Sequence, residues 1–290
     1  MTIKQFIIKV IIKTSRLWPA ELYLKCIFKL NGGYILNLKQ PQTFNEKMNW
    51  CKLHDHNPLY TKLADKYEVK AHVAKLIGEQ YVVPNYGVWN RFSDIEFDKL
   101  PNKFVIKTTH DSSGTFICKD KDKTDWEKAK RRFDALLKRN SYYNLLEWPY
   151  KNIHPRIIAD EYLDDGSGHE LTDYKFWCFN GEPKIMYITN KGNIIKENFY
   201  SMDFQPLDIN HGFERAQPEY EKPKEFELMK ELAAKLSEGI PFVRIDFFDI
   251  NGNVYFGEYT FFDWGGMNIF SNQEWDKKLG SWITLPFDRY

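Results

Sequence analysis

The chain has 290 residues, of which 43% are hydrophobic and 17% aromatic, so it is long and apolar enough to build a sizeable folded core. Its 41 Lys and Arg nearly balance its 40 Asp and Glu. This balance excludes a global positive field of the kind that drives non-specific nucleic-acid binding. An anionic ligand would therefore have to bind to a local group of positive charges. The four cysteines are scattered and contain no CxxC pair. We therefore expect a reducing compartment, the cytoplasm.

Residues 1–30 combine Ile, Phe and Leu with six Lys or Arg. No apolar stretch here approaches the roughly 18 residues that a membrane-spanning helix needs, and we find no small-residue cleavage site of the signal-peptide type. We expect a helix that docks its apolar face on the body of the protein. The alternative is a basic amphipathic helix in peripheral contact with the cytoplasmic face of the inner membrane.

The elements change character along the chain. Residues 1–80 are predicted to form a helical N-terminal region, with a stop near Gly78. From Tyr81 onward short strands dominate, including two within NKFVIKTTHDSSGTFICKDKDK that are joined by a polar loop. A helix over 125–140, a strand in PRIIADEYL, a hairpin turned at Asn180-Gly181 and a helix over 224–238 follow. Interleaved strands and helices predict an α+β fold with mainly antiparallel sheet.

The segment VRIDFFDINGNVYFGEYTFFDWGG, residues 243–266, is apolar and aromatic but includes several polar side chains. A three-residue loop at 250–252 would pair Asp249 with Asn253 and Arg244 with Glu258. That register predicts one shared face, consisting of Arg244, Asp246, Phe248, Phe256, Glu258 and Thr260. The alternative is a two-residue Asn-Gly turn, which shifts the register by one residue and separates Asp246 from Glu258.

Two carboxylates on a half-buried sheet repel each other unless a cation compensates them. Oxygen ligands on adjacent strands suit Mg²⁺ that bridges nucleotide phosphates. The alternative is a simple cross-strand ion pair between Arg244 and Glu258, usually worth about 0–1 kcal/mol.

Lys107 ends the strand KFVIK and precedes the polar loop THDSSGT. The backbone amides and hydroxyls of such a loop can fold over an anion. The loop has neither the GxxxxGK[ST] spacing of a P-loop nor the GxGxxG of a dinucleotide fold, and an ordinary turn is the alternative. Similarly, Asp173, Lys175 and Trp177 share one face of a strand, which forms either the wall of a cleft or a solvated edge.

In this order, the segments VIKTTHDSSG, IIADEYL, DYKFWCFNG and VRIDF…GEYT resemble the ATP-grasp superfamily. More narrowly, PQTFNEKMNW, LYTKLADKYEVK, LPNKFVIKT, DYKFWCFNG and FVRIDFF…YFGEYTF resemble its TupA-like (teichuronopeptide-biosynthesis) branch, which is found with bacterial surface-polysaccharide genes. The resemblance spans roughly residues 35–287. It implies an ATP-grasp fold in which two α+β lobes, about residues 81–160 and 161–290, bind ATP between them. A helical N-terminal region, residues 1–80, precedes the lobes in the chain.

The resemblance also implies roles for individual residues. Lys107 resembles the lysine that contacts the nucleotide phosphates. Ser112, Ser113 and Gly114 resemble the mobile loop above those phosphates.

The next strands carry the implied contacts to the nucleoside. Glu161, Tyr162 and Leu163 correspond to the hinge that presents backbone groups to adenine. Asp173 corresponds to the ribose-binding acid, and Lys175 points to the same side as a second phosphate contact.

The hairpin carries the implied metal and catalytic residues. Asp246 and Glu258 correspond to the Mg²⁺-binding acids, and Arg244 to the arginine that stabilises the charge of an acyl phosphate. Many ATP-grasp ligases continue the second acid as Glu-x-Asn, whereas here the third position is Thr260, a poorer Mg²⁺ ligand than a carbonyl oxygen.

The implied activity is ATP-dependent ligation of a carboxylate to an amine through an acyl phosphate. The expected partners are a uronic-acid-type carboxylate of a cell-surface glycan and an amino acid or small amine, with no nucleic acid. Trp264, Trp275 and Trp282 are candidates for contact with a sugar.

Two alternatives stay open. The first is a glycosyltransferase in which Asp164-Asp165 binds metal and sugar nucleotide, although the same residues are typical of a turn. The second is a non-catalytic nucleotide-binding scaffold.

Overall fold

The computed structural model describes residues 3–191, 194–210 and 212–286 of the protein. Helices dominate the first 80 residues and return near the C-terminal end. Over the described residues they are α1 (Ile3–Lys13), α2 (Ala20–Leu30), α3 (Phe44–His54), α4 (Pro58–Ala64), α5 (Glu68–Ile77), α6 (Trp126–Leu136), α7 (Tyr142–Leu145), α8 (Phe226–Ser237) and α9 (Gln273–Ser281). None of these helices is long and apolar enough to cross a lipid bilayer.

The strands form two sheets in which all the pairs between strands are antiparallel. The four-stranded sheet has the order β1-β4-β2-β3, and the six-stranded sheet has the order β10-β9-β5-β6-β7-β8. The strands are β1 (Asn85–Trp89), β2 (Phe104–Thr108), β3 (Thr115–Cys118), β4 (Ile157–Glu161), β5 (Asp173–Phe179), β6 (Glu182–Lys191), β7 (Ile195–Ser201), β8 (Pro206–Leu207), β9 (Phe242–Ile250) and β10 (Asn253–Thr260). The predicted α+β class with mainly antiparallel sheet is confirmed.

The helices that precede the sheets begin and end where local chemistry predicts. Thr43 caps α3 through a capping box, since its hydroxyl accepts the amide hydrogen bond of Glu46 while the Glu46 carboxylate accepts that of Thr43. α5 ends at Gly78, whose φ of 118° few other residues adopt. The predicted stop near Gly78 is correct.

Each sheet has its own hydrophobic core. Phe104, Ile106 and Ala159 of the four-stranded sheet pack with Phe133 of α6. The core of the six-stranded sheet is larger and includes residues of α8 and also of α3–α5. Helices α3–α5 and the six-stranded sheet therefore share one core, whereas α1 and α2 pack in smaller clusters. The division of the chain near residues 80 and 160 stays a prediction.

The β9–β10 hairpin corrects the predicted register. Asn253 pairs with Ile250 and Val254 with Asp249, so the loop has two residues, Asn251 and Gly252, rather than three. Their φ values of 54° and 88° are both positive, as a type I′ turn requires. The predicted pairing of Asp249 with Asn253 is wrong because the right-handed twist of the strands favours this primed turn.

The shorter loop alone would separate Glu258 from Asp246, but a bulge in β10 brings them together again. Phe256 pairs with Phe247 and Tyr259 with Ile245, so Gly257 and Glu258 together oppose the single residue Asp246. Below the bulge Thr260, rather than Glu258, pairs with Arg244. Phe256 therefore lies opposite Phe247 and not on the predicted face with Phe248, whereas Glu258 still meets Asp246.

Gly257 allows the bulge of β10 to lie close to Asp246 on β9. A Cβ atom there would lie 3.1 Å from the Asp246 carbonyl oxygen and 3.3 Å from the Asp246 Cβ. These distances are shorter than ordinary van der Waals contacts, so any larger residue requires β9 and the bulge to move apart by a few tenths of an ångström.

We predict that Gly257→Ala destabilises the protein by about 1–3 kcal/mol, because the added methyl forces β9 and β10 apart. The free energy of unfolding in urea measures the effect. Gly252→Asn is the control in the same hairpin, since Asn tolerates a left-handed backbone and should cost less. Equal stability of Gly257→Ala and wild type would contradict the bulge.

Candidate functional site

A cleft of about 680 Å³ opens between the two sheets. Its lining includes nine of the residues that the sequence predicted: Lys107, Ser112, Glu161, Tyr162, Leu163, Asp173, Lys175, Asp246 and Glu258. The other four predicted residues, Ser113, Gly114, Arg244 and Thr260, lie outside the lining. Side chains scattered over 150 positions of the chain therefore converge on one site of a size typical for small ligands.

On the four-stranded sheet, two lysines share one buried carboxylate. Lys107 Nζ on β2 and Lys70 Nζ on α5 each lie 3.0 Å from a different oxygen of Asp160 on β4. Burial alone would raise the pKa of Asp160, but the two ammonium charges outweigh it and hold the pKa below its ordinary value. One carboxylate compensates only one of the two lysines. This group of three side chains thus carries a net positive charge on one wall of the cleft, where it suits the phosphates of a nucleotide.

The loop after Lys107 is organised differently from the prediction. The backbone amides of Ser113 and Gly114 both donate to the Asp111 carboxylate, at 3.0 and 2.7 Å. The Thr108 hydroxyl donates to the same oxygen. Two of the amides expected to bind an anion are therefore engaged by an internal acid, and Ser112 is the residue of the predicted trio that lines the cleft.

The end of β4 forms one wall of the cleft. The Glu161 amide donates to the Pro84 carbonyl at 2.9 Å, which fixes the strand end beside β1. Tyr162 and Leu163 follow directly along the wall. The apolar side chains of this part of the lining are Val82, Val83, Val105, Leu163, Leu171 and Phe248. An apolar slot next to exposed backbone ends is suited to a planar base, as the predicted hinge requires.

On the six-stranded sheet, Lys175 connects two predicted acids. Its Nζ lies 2.8 Å from Asp246 Oδ2 and 3.3 Å from Asp173 Oδ2. Burial would lower the pKa of Lys175, but the neighbouring carboxylates of Asp246, Asp173 and Glu258 together outweigh it and raise the pKa. Lys175 is therefore a fixed cation of the cleft wall.

Arg244 is the centre of the ion-pair cluster at the base of this sheet. Its Nε and Nη2 donate to the two oxygens of Asp246 at 2.7 and 2.8 Å, and Nη2 also donates to Glu258 at 2.9 Å. Nη1 donates to Asp263 and, at 3.2 Å, to the Tyr187 hydroxyl. The side chain is only 11% exposed. The guanidinium is thus held by acceptors on β9, β10 and β6 and in the turn after β10.

The charges of this cluster fit a bound Mg²⁺. Four carboxylates (Asp173, Asp246, Glu258 and Asp263) face only two cations, Lys175 and Arg244. Asp246 and Glu258 reach the cleft, so they would hold the ion with hard oxygen ligands. Within the described residues no three His, Cys, Asp or Glu form a ready metal cage. The remaining ligands of Mg²⁺ would come from phosphate and water.

Thr260 occupies a supporting position in the described structure. Its hydroxyl donates to Glu258 Oε1 at 3.3 Å, and it is not part of the cleft lining. The interpretation of Thr260 as a direct metal ligand stays a prediction.

The sequence left several cleft residues unidentified. Lys70 and Asp160 escaped notice because their partners lie far away along the chain, although a lone acid inside the apolar run IIADE was a usable signal. Asp263 and Tyr187 were missed because nothing local marks them as partners of Arg244. Lys66 also lines the cleft.

Asp65 caps a helix, and the pair Asp164-Asp165 forms the turn that the sequence analysis gave as its alternative to a metal site. Asp65 accepts the amide hydrogen bonds of Tyr67 and Glu68 at the start of α5. Asp164 and Asp165 accept those of the residues two positions on, at 3.0 and 2.9 Å. A turn is therefore the observed structure of this acidic pair.

The antiparallel sheets enclose a cleft with paired lysines on one side and acids on the other, as the resemblance to the ATP-grasp superfamily implies. A sequence model of the TupA-like ATP-grasp family matches residues 46–284, and the chain belongs to that family. The family match confirms the resemblance, the predicted ATP-grasp fold and ATP as the cofactor. No curated protein matches the sequence.

Solved structures with a similar fold include D-alanine–D-alanine ligases and the ATP-grasp ligase PsnB. D-alanine–D-alanine ligase from Bacillus anthracis is 16% identical over 69% of this chain and 57% of that one, with a TM-score of 0.41. The Helicobacter pylori enzyme is 15% identical over 77% and 61%, with a TM-score of 0.43. The ligase PsnB with its minimal precursor, Mg and ADP is 11% identical over 74% and 57%, with a TM-score of 0.40. The chain spans a little over half the length of these proteins, and the family match carries the assignment.

We predict that Arg244→Ala lowers the free energy of unfolding by about 3–5 kcal/mol, because the buried Asp263 loses its cation and Asp246 keeps only Lys175. Arg244→Lys keeps one charge and should lose less. Arg215→Ala is the control, since its partly exposed pair with Glu219 should be worth less than about 1 kcal/mol. If urea unfolding gave Arg244→Ala and Arg215→Ala the same loss of unfolding free energy, the structural role of the cluster would be contradicted.

Proposed function

We propose that the protein is an ATP-dependent carboxylate–amine ligase that forms an amide through an acyl phosphate. The proposed carboxylate belongs to a uronic acid of a bacterial capsular or cell-surface polysaccharide or its precursor, and the amine to an amino acid or small amine. The observation that carries the proposal is the buried Arg244, held by Asp246, Asp263 and Glu258 beside a cleft with paired lysines. Membership of the TupA-like ATP-grasp family supports it.

The cleft supplies what phosphoryl transfer requires from a protein, which is positioning and charge compensation. Lys70 and Lys107 would contact the phosphates from one sheet and Lys175 from the other. Bound Mg²⁺, held by Asp246 and Glu258, would further neutralise the phosphate oxygens. Tyr162 and Leu163 would contact the adenine, and Asp173 the ribose.

In the first chemical step a substrate carboxylate oxygen forms a bond to the γ-phosphorus of ATP, and the bond to ADP breaks. In the second step the amine nitrogen attacks the acyl carbon, phosphate leaves and the nitrogen loses a proton. In both steps negative charge develops on oxygen, first on the departing ADP and then on the tetrahedral intermediate. Arg244 lies outside the cleft lining and donates to Glu258, which belongs to the lining, so it would stabilise this charge by turning its Nη2 donor from Glu258 to the oxyanion. Its contacts with Asp246 and Asp263 would keep the guanidinium in place.

A sugar-bearing acceptor is supported by the segment after Asp263. Trp264 is 48% exposed and its ring lies 5.1 Å from that of Phe213. It holds a φ of 50°, which is rare for a bulky residue and typical of functional sites. Trp275 and Trp282 instead pack against the core. We propose Trp264 as the residue that stacks on a sugar ring.

The proposed location is the cytoplasm. Cys26, Cys51, Cys118 and Cys178 are all free thiols, and three of them are buried. A reducing compartment keeps such thiols intact and also supplies ATP.

ATP affinity tests the phosphate site. Lys70→Ala should weaken ATP binding roughly tenfold or more, because a charge-assisted hydrogen bond to phosphate is lost. Lys75→Ala, on the same helix but exposed and outside the cleft, is the matched control and should leave the affinity unchanged. Isothermal titration calorimetry with and without Mg²⁺ measures both variants.

The same titrations test the metal site. Glu258→Gln should remove most of the Mg²⁺ dependence, whereas Glu182→Gln, at an exposed hairpin position, should retain it. UDP-sugars are the control ligands. Binding of a UDP-sugar without binding of ATP would overturn the ligase proposal in favour of a glycosyltransferase.

Hydroxylamine tests the acyl phosphate. With ATP, Mg²⁺ and glucuronic or galacturonic acid derivatives, the wild-type protein should release ADP and form a hydroxamate, since hydroxylamine captures acyl phosphates. Arg244→Lys should reduce kcat by roughly 10²-fold or more while it still binds ATP, as expected for a lost oxyanion contact. ATP binding without any ADP release across a panel of carboxylates would favour the scaffold alternative.

A further inference from the structure

Helix α1 has two apolar stripes on different sides. The inner stripe consists of Ile8, Ile11 and Ile12, which pack against the α2 residues Tyr23, Leu24 and Ile27 and their neighbours. This contact is the docking that the sequence predicted for the N-terminal helix. It uses only part of the apolar surface of α1.

The outer stripe of α1 consists of Ile3, Phe6, Ile7 and Val10. These side chains are exposed by 81%, 55%, 42% and 43%. Their spacing of three, four and seven residues places them on one face of the helix. Leu17, in the turn after α1, is 83% exposed as well. Five large apolar side chains within fifteen residues form a patch that water solvates poorly.

The charge around this patch has one sign. Residues 1–45 contain seven Lys or Arg and a single acid, Glu21, which is a net charge of +6. The whole chain is only +1, so the rest of it is net −5. Lys4, Lys9 and Lys13 lie on α1 itself, which has no acidic residue. A surface that covers the outer stripe must therefore tolerate concentrated positive charge.

We propose that α1 binds the surface of an anionic lipid bilayer, with Ile3, Phe6, Ile7 and Val10 inserted at the boundary of headgroups and acyl chains. Its lysines would contact the anionic headgroups from the flanks of the stripe, which is the usual arrangement of a helix that lies in the membrane interface. A second copy of the chain is a poorer occupant, because the same basic surface would face itself. The inner stripe keeps α1 attached to the protein in the bound state.

Vesicle co-sedimentation of the full chain tests this proposal. Vesicles of phosphatidylcholine with about one third phosphatidylglycerol should bind the protein at least about tenfold better than phosphatidylcholine alone, and high salt should weaken the binding. The double variant Phe6→Ser/Val10→Ser should lose most of the binding, as should Lys9→Glu/Lys13→Glu. Leu76→Ser on α5, which is 45% exposed in wild type, is the matched control and should bind like wild type.

Two results would overturn the proposal. One is equal sedimentation of wild type and Phe6→Ser/Val10→Ser with anionic vesicles. The other is a dimer in light scattering that this double variant dissociates, since the outer stripe would then be covered by a second copy. ATP titrations of each variant report whether the protein is still folded. They also keep this test separate from the ligase proposal, because neither outcome depends on catalysis.

Discussion

The burial of Arg244 is the constraint on which the site depends. A guanidinium that is 11% exposed is costly unless each of its donors finds an acceptor. The acceptors come from β9 itself, from β10, from β6 and from the turn after β10, as Asp246, Glu258, Tyr187 and Asp263. The requirement to satisfy one cation therefore fixes the relative positions of three strands and a turn. The proposed metal-binding acids are aligned by the same requirement.

The opposite wall of the cleft follows the same logic with the charges reversed. There a carboxylate, Asp160, is buried between the cations Lys70 and Lys107. One wall thus has an excess of positive charge and the other an excess of carboxylates. A magnesium-bound nucleotide complements both walls, because its phosphates can bind the lysines of one wall and its metal ion can bind the carboxylates of the other. The near-neutral chain achieves this without a strong overall field because each charge is placed locally.

The sequence predicts those parts of the fold that local chemistry decides. The Asn180-Gly181 turn, the end of α5 at Gly78 and the antiparallel α+β class all depend on neighbouring residues, and all are correct. The register of β9 with β10 was mispredicted because Asn251 and Gly252 form a two-residue turn in place of the expected three-residue loop. The Gly257 bulge, which brings Glu258 back to Asp246, has no sequence signal of its own. Likewise, the polar loop THDSSGT was predicted to bind phosphate through its backbone amides, but two of these amides donate to the carboxylate of Asp111. Such competition among internal partners is decided by three-dimensional packing.

The most direct test of the account is the position of a metal ion in the cleft. Crystals grown with Mn²⁺ and a non-hydrolysable ATP analogue allow the ion to be located by its anomalous scattering. We predict a peak coordinated by Asp246 and Glu258, with the phosphates toward Lys70 and Lys107 and Arg244 still joined to Asp263. A nucleotide bound elsewhere, or an ion that leaves both acids on Arg244 alone, would contradict the account.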